Sequence, residues 1–151
     1  MSIPAILSTL VAVLGTLAGT ALAALMRNRA DKAARDSEHR RAVVAAVADL
    51  VAALADHRRT MWVLEDTRLS GASNDICTQA RADSHATRSA VSSPQVRVLV
   101  LAPELASVAD AAVRATYALH DAPDTATLSH LRQASVDACD RLMHHAAEAL
   151  R

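Results

Sequence analysis

The run Ala42-Val43-Val44-Ala45-Ala46-Val47-Ala48-Asp49-Leu50-Val51-Ala52-Ala53-Leu54-Ala55-Asp56-His57-Arg58-Arg59-Thr60-Met61-Trp62-Val63-Leu64-Glu65 decides how this chain folds. Val43, Val47, Leu50, Leu54, His57, Met61 and Leu64 follow one another in alternating four- and three-residue steps. That is the seam spacing of packed helices. Val44 and Val51 widen the stripe to the breadth of a bundle helix. Alanine fills much of the rest, and it is the strongest helix former. The helix should end near Leu69, because Ser70-Gly71-Ala72-Ser73-Asn74-Asp75 is turn chemistry.

Downstream, Asn74 or Asp75 can cap a second helix that starts near Ile76 and runs through Ala80, Ala86 and Ala90. Ser92-Ser93-Pro94 interrupts it. Val96-Arg97-Val98-Leu99-Val100-Leu101 alternates weakly and favours β structure. It has no second strand-like run to pair with, and a lone strand is unstable. The segment is therefore read as a kinked continuation of the second helix. The alternative is an extended segment that pairs with another chain. Pro103-Glu104 opens a third helix, with proline early and an acid in the first turn. Its seam is Leu105, Val108, Ala112, Thr116 and Leu119. Asp121-Ala122-Pro123-Asp124 breaks it. A fourth helix, capped by Asp124 or Thr125, carries the seam Leu128, Leu131, Ser135, Ala138, Leu142, His145 and Ala149. The expectation is an all-α fold, with an up-and-down four-helix domain over residues 43–151.

Upstream, residues 27–42 form a polar, mixed-charge run without Gly or Pro, read as a helical stalk. Before it, the 24 residues Ile3 to Met26 carry no charged side chain. At about 1.5 Å per residue they reach about 36 Å, enough to cross a hydrocarbon core of about 30 Å. Residues 1–26 are thus expected to be a transmembrane anchor that continues into the bundle. A cleaved signal peptide fits less well, since no Lys or Arg precedes the stretch and the apolar core is too long. A buried helix of a soluble protein would be shorter and would carry a polar stripe. Arg27, Arg29, Lys32, Arg35, Arg40 and Arg41 follow the anchor closely. The positive-inside rule then puts the N-terminus outside the plasma membrane and the rest in the cytoplasm. Gly15 and Gly19 make a G-x-x-x-G step, extended by Ala23, and such small residues let two helices approach in lipid. They are a candidate association face.

Hydrophobic residues make up 52% of the chain, yet there is no Phe, one Trp and one Tyr. The core must rest on Leu, Val, Ile and Ala, which bury little area each, so stability per residue should be low. Net charge is zero but unevenly spread. Arg27 to Arg41 holds six basic and three acidic residues, or +3, and Ala42 to Arg151 holds ten and thirteen, or −3. Anionic lipid head groups would attract the basic stretch. The acidic distal domain argues against a nucleic-acid surface.

Little in the chain announces chemistry. Cys77 and Cys139 are lone thiols, with no C-x-x-C or Cys/His ligand spacing, so neither a metal nor a cofactor is implied. His57 lies on the seam without a nucleophile or carboxylate pair in a recognisable pattern. Arg58 lies one turn before Trp62 and could stack on it. Asp56 with Arg59, and Glu65 with Arg68, read as ordinary i,i+3 pairs. His57, Arg58, Trp62 and Glu65 thus form either a core patch or a partner patch, with a buried Trp62 expected to anchor the distal end. His144 and His145 are adjacent, point about 100° apart on a helix, and cannot chelate one ion as an i,i+4 pair would. The pattern is that of a non-enzymatic protein.

The anchor, the run Ala55 to Gly71, Arg114-Ala115-Thr116-Tyr117-Ala118-Leu119-His120-Asp121 and Val98-Leu99-Val100-Leu101-Ala102-Pro103-Glu104-Leu105 resemble the KilB-like small proteins of streptomycetes and their plasmids. The resemblance implies a membrane-associated, non-enzymatic protein linked to plasmid transfer or spread between mycelial compartments. Its partners would be further copies of itself or other transfer proteins. No site residue is carried over, since the shared motifs hold no chemical signature. The competing expectation is a phage or host envelope protein, such as a lysis accessory, whose domain faces outward.

Overall fold

The computed structural model describes the backbone of residues 3–151 and the side chains of residues 26–151. The chain forms α1 (Ile3–Leu69), α2 (Asn74–Leu101), a 3-10 turn (Pro103–Leu105), α3 (Ala106–Tyr117) and α4 (Thr125–Ala149). No strand occurs among the described residues. The chain divides into two compact units, Met1–His39 and Arg40–Arg151. In the first, every described residue except Ser37 is exposed. The anchor expected over Ile3–Met26, with its Gly15, Gly19 and Ala23 face, lies up to Leu25 outside the described side chains. Among the described residues no helix is long and apolar enough to cross a membrane.

The second unit is an antiparallel bundle of α1's distal half with α2, α3 and α4. Pairings across it fix the directions. Asp49 meets Arg97 while His57 meets Thr87, so α1 and α2 run oppositely. Gln95 bonds Asp110 while Arg88 covers Tyr117, so α2 and α3 do too. Residues 105 and 148 line one hollow while Thr116 bonds Ser135, which opposes α3 and α4. The whole seam Val43, Val47, Leu50, Leu54, His57, Met61 and Leu64 is buried, as its spacing dictates.

The connections follow local chemistry. Gly71 ends α1 at φ +72, a left-handed angle that glycine adopts without strain. The Ala72 N–H reaches back to the Thr67 carbonyl and the Gly71 N–H to that of Arg68, which closes the helix end. Ser73, not Asn74 or Asp75, takes the N-cap position of α2, and its side chain makes no capping bond. The segment Val96 to Leu101 is helical and continuous with α2, with Pro94 inside the helix. Val91 and Val98, seven residues apart and fully buried, straddle that proline and hold the helix to the core. The third helix begins later than its proline suggests: Pro103–Leu105 is a 3-10 turn and α3 proper starts at Ala106. Asp124 caps α4 by accepting from the Thr127 N–H at 2.7 Å, which lowers its own carboxyl pKa.

The α4 seam departs from expectation in its last two turns. His145 and Ala149 are exposed, and Ala146 takes the inward place. A strict heptad drifts around a straight helix by about 20° per repeat, so a seam drawn from Leu128 has rotated off the core by then.

Candidate functional site

Two apolar clusters fill the bundle. The larger packs Val43, Val47, Leu50 and Leu54 against Val98, Ala109 and Leu142. The smaller, at the end distal from Arg40, gathers Met61, Leu64, Ala80, Leu119, Ala122 and Leu128. Between them lies a polar layer. His57 is only 1% exposed. Its Nδ1 sits 3.0 Å from the Thr87 hydroxyl, which is 2.7 Å from the Thr60 hydroxyl. Thr60 also donates to the His57 carbonyl. The imidazole packs edge-on against Tyr117, with ring centres 5.3 Å apart, and the Arg88 guanidinium lies 4.4 Å over the same tyrosine ring. Burial, and then the charge of Arg88, push the His57 pKa from 6.5 down to about 4. The ring is therefore neutral at neutral pH.

Arg58, next in sequence, turns the other way. Its Nη1 lies 3.4 Å from the Ser135 hydroxyl and 3.7 Å from Cys139 Sγ. Ser135 and Thr116 share a hydrogen bond of 2.8 Å in the interior. Burial raises the Cys139 thiol pKa, so that sulfur stays protonated and unreactive. Every buried side-chain nitrogen and oxygen among the described residues has a partner. The layer is a closed network whose groups satisfy one another. Sliding a helix by one turn would leave several of them unpaired, so the layer fixes register.

Glu65 is not the ordinary surface partner that its spacing from Arg68 suggests, being only 2% exposed. One carboxylate oxygen takes Arg68 Nε at 2.7 Å, and the other takes the Asp121 N–H at 3.0 Å. Arg68 also donates to the Ala122 carbonyl. Asp121 stands in the left-handed region at φ 57, which aspartate tolerates better than most residues. The pair thus ties the α3–α4 corner to α1. Glu65, His120 and Asp121 offer ligand atoms within 4.8 Å of one another. Both Glu65 oxygens are already engaged, one by the Arg68 cation and one by the Asp121 N–H, so the carboxylate's charge is already matched and the residues do not favour a metal ion.

Trp62 is not the buried anchor that its size suggests. It is half-buried against the smaller cluster, and Arg132 of α4, not Arg58, covers it at 5.3 Å from the ring centre. The layer thus brings His57 and Arg58 to one height but sends them to opposite sides, and Trp62 and Glu65 serve separate contacts. Gly15, Gly19 and Ala23 lie outside the described side chains. Thr87, Tyr117 and Arg88 carried no signal in the sequence. Thr116 and Ser135 did: each is a hydroxyl at a seam position.

On the outside, α1 and α4 form an apolar groove of about 500 Å³, lined among others by Val44, Ala48, Val51, Met143, Ala147 and Leu150. Val44, expected inside the stripe, is 54% exposed there, and Met143 is 44% exposed. Arg40 and Arg41 border a hollow that continues it past Val44 and Leu150.

Residues 44–150, nearly the whole bundle, match the family model described as KilB plasmid transfer protein. The chain belongs to that family. It is also 51% identical over 140 residues to Protein KilB of Streptomyces lividans, covering 93% of this chain and 95% of that one. No solved structure matches. The family match spans the polar layer, the Glu65 corner and the groove alike, so family membership and bundle coincide.

Proposed function

We propose that this protein serves plasmid transfer or spread as a single-pass protein of the plasma membrane, acting through protein contacts and not through catalysis. The observation that carries the reading is membership of the KilB plasmid transfer protein family over residues 44–150. The membrane part is supported by the uncharged stretch Ile3 to Met26 and by six basic residues between Arg27 and Arg41 with none before it. That asymmetry favours an outside N-terminus and a cytoplasmic bundle. It also favours a stalk that lies against anionic head groups. Action by contact is supported by the way polar groups are used: they satisfy one another inside, while apolar side chains line an open groove outside.

Topology reporters test the membrane part. A C-terminal alkaline phosphatase fusion should be inactive and a C-terminal fluorescent fusion bright. An active phosphatase fusion would reject the orientation, and with it any contact made in the cytoplasm. A chain recovered wholly in the soluble fraction would reject the anchor.

A further inference from the structure

We propose that the α1–α4 groove is the contact between two copies of this chain, set in parallel about a two-fold axis that runs along the helices. This rests on the reading of the protein as one that acts by protein contacts, and it names the surface.

The first support is spacing. On α1, Val44, Ala48, Val51 and Ala55 line the groove at steps of four, three and four. On α4, Met143, Ala147 and Leu150 do so at four and three. This is the repeat of helices that interlock. The bundle consumes it only in part: Val51 and Leu150 pack partly against the core, while Val44, Ala48, Met143 and Ala147 stay exposed. An interface between identical copies must offer projections and recesses on one patch. Here Val44 and Met143 project, while Ala48, Ala52, Ala55 and Ala147 leave the recesses.

Charge chooses the orientation. The bonds from Arg58 to Ser135 and Cys139 set this turn of α1 level with the turn of α4 that ends at Asp140. Arg59 and Asp140 are both exposed, and Arg59 is held only by an exposed Asp56 at 3.7 Å. A two-fold axis along the helices lays α1 of one copy over α4 of the other at equal height. Arg59 of each copy then approaches Asp140 of the other, twice over. Turning the second copy end over end lays α1 on α1 instead. Arg41 and Arg59 are spaced equally about Leu50, so like charges would then face each other.

Cross-linking at one introduced cysteine in the full-length chain in membranes tests this. The background is Cys77→Ser, with the buried Cys139 retained as baseline. Val44→Cys and Ala55→Cys stand at opposite ends of the groove. With a short bismaleimide that spans the diagonal between the two α1 helices both should give cross-linked dimers, and Val96→Cys, exposed on α2, should give no more than the baseline. Adding Ala48→Glu to Val44→Cys should lower the dimer yield about tenfold or more, with helicity by circular dichroism unchanged. Folded chains that give no dimer at either end would overturn the proposal. So would equal yields at Val96→Cys, or a dimer only from the mid-groove Val51→Cys, the mark of an antiparallel pair. Dimers at both ends, combined with normal plasmid transfer by Ala48→Glu, would keep the interface and reject the functional reading.

Discussion

The two halves of the bundle are built on different principles. From Val43 to Leu54, α1 turns only apolar side chains inward, against Val98, Ala109, Leu142 and Ala146. From His57 to Leu69 the same helix adds imidazole, hydroxyl, guanidinium and carboxylate contacts to the smaller apolar cluster around Met61 and Leu64. Volume holds the first half together, and many registers of a Leu/Val/Ala seam would fill it almost equally well. In the second half directional bonds are added to a smaller apolar cluster, and those bonds admit one register. Because specificity is supplied distally, the proximal half is free to carry apolar residues outside as well as inside. That is where the groove lies.

The largest effect should come from the half that depends on volume. Leu50 is fully buried within the larger apolar cluster. Leu50→Ala should cost about 3–4 kcal/mol in chemical denaturation followed by Trp62 emission. A loss below about 1 kcal/mol would mean that the alanine-rich surroundings collapse onto the site, and the contrast between the halves would weaken.

Acid should strike the other half. His57 has a folded-state pKa near 4 against an ordinary 6.5, so between those values the unfolded chain takes up a proton that the folded chain refuses. Stability is therefore full above pH 6.5 and falls as the pH drops toward 4. From pH 7 to pH 5 the loss from this group should be about 2 kcal/mol. His57→Gln should flatten the dependence across that range. A slope that persists in the variant would place it on other groups and remove His57 from the centre of the layer.

Smaller effects belong to the distal surface. Trp62 is half-buried, so Trp62→Ala should cost about 1–2 kcal/mol, below the roughly 3–5 kcal/mol of a fully buried indole. Its emission should be intermediate in the folded chain and should move red on unfolding. Arg132→Ala, which uncovers the ring, should cost about 0.5–1 kcal/mol. Thermal melts of the two single variants and the double would separate ring from cation. Additive losses would show that Arg132 does not act through Trp62.

Much of this was legible in the sequence, for definite reasons. The α1 seam repeats without interruption from Val43 to Leu64, and every member is buried. The turn at Gly71 and the cap at Asp124 are local devices, readable from a few residues. What could not be read depends on residues far apart. Glu65 looks like half of a surface pair until Asp121 arrives from 56 positions away to donate its N–H. Thr87 looks like any helix-surface threonine until α2 folds back and sets it against His57. Trp62 misled through size: its position beside the seam, not on it, weighs more than its area. Val44 misled similarly, because a stripe wide enough for a bundle can have one edge turned to an outside partner. His145 and Ala149 show a further limit, the slow rotation of a heptad line around a straight helix.

The contrast between the halves is tested most directly by plasmid transfer in a mating between mycelial strains. The comparison is between full-length wild type, Ala48→Glu in the proximal groove and Val63→Glu on the exposed distal surface, at equal protein levels. Transfer should fall about tenfold or more with Ala48→Glu and stay at the wild-type frequency with Val63→Glu. Normal transfer with Ala48→Glu, or an equal fall with both, would contradict the assignment of function to the proximal face.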